Sequence, residues 1–223
     1  MPDKVIEVFG EGKTDIGPIS KIYENQVELP VHGVVPVLVH RLCGRPDAMR
    51  VKRRALPFLQ GKGLSGKVRF ARRQAPYNGS AGLVIVLDTE GEHPARLDGL
   101  TEIRDSFEPG FPMAIGVAHP CIESWLLTDG SAILRALKLP QTPDLPAAPE
   151  SLPAPQRDKE ENPKRHLARC INAQQAALSS EETTRIAREM KDMDLVRRCC
   201  PLSFGPFANE VQQRIAPIFR SEP

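Results

Sequence analysis

The sequence predicts an α/β fold: a mostly parallel sheet flanked by helices, with a C-terminal helical extension. Over residues 1–138 short β-rich runs alternate with longer segments of mixed polarity, the signature of parallel strands joined by helical crossovers. A proline-studded stretch over 139–162 then separates this body from a tail, 163–223, that reads as helices. Composition fits such a fold, since 40% hydrophobic and 26% charged residues in 223 exclude collagen, coiled coil and wholesale disorder. A chain of this length buries about 70% of its unfolded surface, so neither a metal staple nor a disulfide framework is required.

The elements come in order. Residues 4–9, 34–40, 82–87 and 113–117 read as strands, and the run LVIVL inside the third is apolar on both faces, as a central strand should be. Between and after them, 15–25, 48–60, 95–107 and 121–128 read as helices, with Pro18 making the first begin late or irregularly. The stretch LPQTPDLPAAPESLPAPQRDKEENPK has a proline every few residues, no aromatic and little to bury, and predicts an extended or mobile connection. Asn162 and Pro163 form a cap and first helical position, opening a helix to about residue 178. Further helices are expected over 180–198 and 206–215, and no internal repeat is visible.

No apolar run approaches the ~18 residues of a membrane span. The start, MPDKVIEVFGEGK, carries charge where a signal peptide is apolar, so a soluble, cytoplasmic protein with no membrane partner is expected. Five cysteines (Cys43, Cys121, Cys170, Cys199 and Cys200) without a CxxC read as reduced, mostly buried thiols. His32, His40 and Cys43 match no structural zinc spacing. The net charge of +2 hides a segregation: window 41–73 holds Arg41, Arg45, Arg50, Lys52, Arg53, Arg54, Lys62, Lys67, Arg69, Arg72 and Arg73 against Asp47 alone. A local +10 attracts polyanions, of which phosphate backbones are the commonest. The plain alternative is a solvated helix face.

Ligands of open parallel sheets bind beyond the carboxyl ends of the strands. There the sequence places Gly10-Glu11-Gly12-Lys13-Thr14-Asp15, then Asp88-Thr89-Glu90-Gly91-Glu92, then His119-Pro120-Cys121-Ile122-Glu123-Ser124-Trp125. Two chemistries compete. A phosphate-binding loop of an NTPase needs a glycine five residues before Gly12, where Glu7 stands, although VIVLD could pass for its magnesium-holding motif. Metal-assisted phosphodiester hydrolysis needs carboxylates from separate strands. Glu11 and Asp15 share a face if the helix starts at the glycine turn, and Asp88 and Glu90 point the same way from an extended strand end. Carboxylates this close repel unless a cation neutralises them, and oxygen ligands suit Mg²⁺ or Mn²⁺ better than zinc.

The strand ending in Glu11-Gly12-Lys13-Thr14-Asp15, together with the later LVIVLDTEGE, resembles the Toprim fold of topoisomerases, bacterial primases and the overcoming-lysogenization-defect nucleases. AIGVAHPCIESWLLTD and NPKRHL are similar to stand-alone Toprim-like proteins of bacterial defence islands, often encoded beside an ATPase. The resemblance covers most of 4–138 and extends loosely to Lys164. It implies that Glu11 is a metal ligand or acid/base group and that Asp15 holds the second acidic position of the nuclease branch. Asp88 and Glu90 would occupy the two-aspartate motif, with Glu123 a further ligand, Mg²⁺ or Mn²⁺ the cofactor, and Lys164 a stabiliser of charge at the phosphate. One departure stands out, since the family pattern is Asp-x-Asp and this chain has Asp88-Thr89-Glu90.

Each of these residues has a structural reading as well. Glu11 and Asp15 could cap the first helix, Asp88 and Glu90 could end a strand in a solvated turn, Glu123 could be a first-turn acid beside core residues, and Lys164 could be a surface lysine. His119 reads as a loop or core histidine. The expectation is a metal-dependent nuclease, an antiphage or toxin effector working with an ATPase partner. Nucleic acid, DNA or RNA, would be held by Lys13, Arg50, Lys52, Arg53, Arg54, Lys62, Lys67, Arg69, Arg72 and Arg73. Water would attack, because neither Tyr23 nor Tyr77 lies in a motif. A catalytically degenerate adaptor on the same scaffold is the alternative, and a phosphate-loop NTPase the second.

Overall fold

The computed structural model describes residues 3–17, 32–44, 46–55, 60–89, 93–106, 110–171 and 177–220. Four strands, β1 (Lys4–Gly10), β2 (Met49–Ala55), β3 (Gly82–Asp88) and β4 (Met113–Ala118), form one sheet in the order β2-β1-β3-β4. Every neighbouring pair is parallel. The α/β class and the parallel sheet are those the sequence predicts, and β1, β3 and β4 fall on expected strands.

The second strand is a correction. VVPVLVHRL, expected as a strand over 34–40, is helix α2 (Val34–Leu42), and MRVKRRA, inside an expected helix, is the edge strand β2. Short apolar runs carry no period that separates a buried helix from a buried strand. Pro36 fits because it stands in the first turn, where its missing N–H would have had no helical partner. In β2, Met49, Val51 and Arg53 face the core while Arg50, Lys52 and Arg54 alternate on the other side, a period of two. Helix α1 (Lys13–Ile16) is a single turn, and the rest of the expected helix, 18–25, lies outside the described residues.

The two faces of the sheet build two cores. On one, Phe9, Leu83, Ile85, Leu87, Ile115 and Val117 meet α3 (Gly63–Tyr77) and α4 (His93–Asp105) through Val68, Ala71, Ala75, Leu100 and Ile103. Helix α3 is absent from the sequence reading, because two glycines, a proline and many charges obscure its three apolar contacts. On the other face, Ile6, Val8, Val51, Val84 and Val86 meet α2 and the chain beyond β4. Gly116 lets a ring approach this face: a Cβ there would lie 2.6 Å from Phe207.

Beyond β4 come α5 (Glu123–Leu126), α6 (Gly130–Leu137), α7 (Pro163–Arg169), α8 (Ser180–Glu189), α9 (Met193–Cys199) and α10 (Phe204–Glu210). Asn162 caps α7 as expected, its side chain accepting from Arg165 N–H at 3.1 Å. The expected helix over 180–198 is two helices, and the one beginning at Pro163 ends at Arg169 rather than near 178. Ser179 explains one start, since it and Glu182 bond each other's backbone N–H groups. The proline-rich stretch is tied down at Glu150, which is buried and accepts N–H bonds from Leu202 and Ser203 and the hydroxyl of Ser203. Ser203 in turn accepts the indole N–H of Trp125 at 2.7 Å. Trp125 packs on Phe204 and Phe207 with ring centroids 5.2 Å away in each case, so α5 is fixed against α10. Among the described residues no helix is long and apolar enough to cross a membrane.

Candidate active site

Because all four strands run the same way, the residues after β1, β3 and β4 reach one edge of the sheet. The chain turns from β1 into α1 through Glu11 and Gly12 alone. This tight turn swings Asp15 back beneath its own loop, where Oδ2 accepts the N–H groups of Glu11 and Gly12, both at 2.9 Å. The helix-capping reading of Asp15 is therefore part of the answer. An ordinary cap, however, is solvated and ionised, whereas Asp15 is only 4% exposed. Burial pushes its carboxyl up to about 7, with Glu123 adding to the rise and the Gly12 and Glu11 N–H groups and Lys164 opposing it.

Asp88 ends β3, and its Oδ1 accepts the N–H of Ile122 at 2.9 Å, joining the central strand to the start of α5. Burial lifts its carboxyl well above the usual range, Asp15 and Glu123 lift it further, and Lys164 pulls it down. Glu123 opens α5, is 5% exposed, and its Oε2 is buried without a hydrogen-bond partner. Glu11 reaches across from β1 so that its Oε2 accepts the N–H of Asp88 at 3.2 Å. Lys164 comes from the first turn of α7, which packs on α5. The field of Glu123 above all, then of Asp88 and Asp15, holds its ammonium above the usual lysine range.

Glu11, Asp15, Asp88, Glu123 and Lys164 are thus gathered in one place, as the sequence reading expects. Glu90 lies outside the described residues, as does the side chain of Lys13. Among the described residues, no three His, Cys, Asp or Glu side chains stand grouped as ligands of one ion. The buried, unpartnered Oε2 of Glu123 is nevertheless an orphaned acceptor of the kind a cation would satisfy.

Two participants escape the sequence reading. Cys121 is buried, and its thiol is held well above the usual range, first by burial and then by Glu123 and Asp88. Arg96, from the start of α4, donates from Nη1 to the carbonyl of Asp88 at 2.5 Å and lies 3.5 Å from Glu11 Oε2. A cation near a helix N-terminus opposes the macrodipole, and that anomaly is the signal that could have marked it. His119, just beyond β4, shares a hydrogen bond of 2.9 Å between Nδ1 and the hydroxyl of buried Thr89.

The basic residues divide by use. Arg53 is buried and donates to the Ile16 carbonyl at 2.6 Å, holding the end of α1. Arg50 pairs with Asp3 at 3.0 Å and bonds the carbonyls of Asp47 and Met49. Arg69 bonds Ser106 at 3.3 Å, and Arg72 lies 4.8 Å from the centre of the Phe111 ring. Lys52 and Arg54 line the outer face of β2, Lys62 is exposed at the start of α3, and Lys67 and Arg73 lie further along that helix. Arg54 is the register partner of Phe9, two residues before Glu11, so the basic edge strand runs toward the acidic cluster.

No protein-family model, curated protein or solved structure matches this chain.

Proposed function

We propose that this chain is a divalent-cation-dependent nuclease on a Toprim-like scaffold, hydrolysing phosphodiester bonds of a cytoplasmic nucleic acid. The observation that carries this reading is the meeting, from three strand ends, of Asp15, Asp88 and Glu123 around the ammonium of Lys164, with Glu11 bonded to the backbone of Asp88. Two buried carboxyls raised above the ordinary carboxylate range by burial and by neighbouring acids are costly to a fold and are a common mark of a working site. Glu11, Asp15, Asp88 and Glu123 are the residues that would hold Mg²⁺ or Mn²⁺, with Glu90 a further candidate. When bound, such an ion activates water and neutralises charge on the leaving oxygen.

The chain's own residues supply the rest. Lys164 offers a fixed positive charge to the phosphate as negative charge develops on its oxygens. Lys52, Arg54 and Lys62 bind the backbone on the approach, whereas Arg50 and Arg53 serve the fold. Water is the attacking group in this reading: Tyr77 is 86% exposed at the far end of α3, which starts after β2 at the acidic edge and leads back toward the start of β3, and Tyr23, in no motif, lies outside the described residues. The NTPase alternative is weakened by the two-residue turn between β1 and α1 and by Glu7, which lies within β1 bonded to Asn78 and Ser80.

The adaptor reading keeps one observation in its favour, the lack of three side chains already grouped around one point among the described residues. The test is a comparison of Asp88→Asn with Lys52→Gln/Arg54→Gln/Lys62→Gln in binding and cleavage of DNA and RNA, alone and with any ATPase partner. A nuclease loses cutting but not binding in the first variant and loses both in the second. An adaptor cuts in no form, keeps binding in the first variant and loses it in the second.

A further inference from the structure

We infer that Arg96 is a positioning residue of this site, holding in place the Glu11 carboxylate that would serve as a cation ligand. The inference rests on the reading of the acidic cluster as a cation site. Arg96 Nη1 makes a short bond of 2.5 Å to the Asp88 carbonyl and stands 3.5 Å from Glu11 Oε2. The same Oε2 accepts the Asp88 N–H at 3.2 Å. Glu11 is therefore held at one oxygen by a hydrogen bond and an ion pair, both referenced to the same residue at the end of the central strand. Oε1 takes no part in this grip.

A glutamate has three rotatable side-chain bonds, and the side chain of Glu11 is 35% exposed on a two-residue turn, so its own packing does not hold it. Arg96 supplies what packing does not. It also links two elements, since α4 comes after β3 while Glu11 comes after β1, and so ties the Glu11 side chain to the strand end that carries Asp88. A purely structural role, closing the turn between β3 and α4, would use the bond to the Asp88 carbonyl but would not need Glu11.

The experiment is calorimetric titration of the full chain with Mn²⁺, comparing wild type, Arg96→Met, Arg96→Lys, Glu11→Gln and Glu11→Gln/Arg96→Met. Loss of a residue that orients a ligand weakens metal binding by ~10- to 100-fold. Arg96→Met should show a loss of this order, Arg96→Lys should recover part of it, and Arg96→Met should cost nothing further once Glu11 is Gln. Unchanged Mn²⁺ affinity in Arg96→Met overturns the inference while leaving the cation site standing. So does an equal loss in both backgrounds, because Arg96 would then act without Glu11. Should Arg96→Met fail to fold, Arg96→Lys decides: unchanged affinity overturns the inference and a partial loss upholds it. Wild type that binds no Mn²⁺ overturns the site and the inference together.

Discussion

Replacing Asp15 by Asn should make the cation-free protein more stable at pH 8 and have little effect at pH 4. The folded state holds the Asp15 carboxyl at about 7, against a reference of 3.8. A group raised in this way contributes stability that is fully present below its unfolded value. That stability is lost as pH rises from about 4 to about 7, because the unfolded chain ionises first. A gap of about three units at about 1.36 kcal/mol each is worth about 4 kcal/mol, a ceiling shared with Asp88, against typical total stabilities of ~5–15 kcal/mol. Asn cannot ionise, and its side-chain oxygen can still accept the N–H groups of Glu11 and Gly12. Urea unfolding in EDTA, monitored by the fluorescence of Trp125, the one tryptophan of the chain, measures both proteins at each pH. The stability difference should move in favour of Asp15→Asn between pH 4 and pH 8. A pH-independent difference, or an Asp15→Asn protein that is less stable at pH 8, refutes the reasoning that burial and neighbouring acids hold this carboxyl protonated.

Arg53→Met should destabilise the fold by ~1.5–3 kcal/mol in chemical denaturation, because a buried charge-assisted bond to the Ile16 carbonyl is lost. Ser203→Ala should cost ~1–3 kcal/mol in the same assay, since it strands the Trp125 indole N–H and removes one donor from Glu150. Lys52→Gln/Arg54→Gln/Lys62→Gln should make the slope of log affinity against log salt shallower by ~2–3 on duplex DNA, measured by fluorescence anisotropy.

Legibility in the sequence divides along physical lines. The strands at 4–10, 82–88 and 113–118 are legible because apolar runs bounded by turn residues are what a central parallel strand requires. The second strand is not. MRVKRRA hides its period of two behind basic residues on an edge, and VVPVLVHRL carries β-branched residues into a helix buried on nearly every side. Tertiary burial decides both segments. The acids are legible because parallel strands deliver the residues beyond their carboxyl ends to one edge, so Glu11, Asp15, Asp88 and Glu123 can be grouped before any geometry is known. Lys164 rests on the resemblance, and no local pattern marks it. Arg96 leaves only a faint trace, a cation near a helix N-terminus, and its role depends on where α4 docks. Charge counting over 41–73 overstates the basic surface, because it cannot see that Arg53 is buried and Arg50 is paired.

The most direct test of the central claim is cleavage of a mixed panel of supercoiled and linear DNA, single strands and total cellular RNA. Each reaction is run with Mg²⁺, Mn²⁺ or EDTA, for wild type and for Asp88→Ala. The account predicts cutting that needs the cation and disappears in Asp88→Ala while the folded structure persists. Cutting that survives in EDTA, or that Asp88→Ala retains, would contradict it.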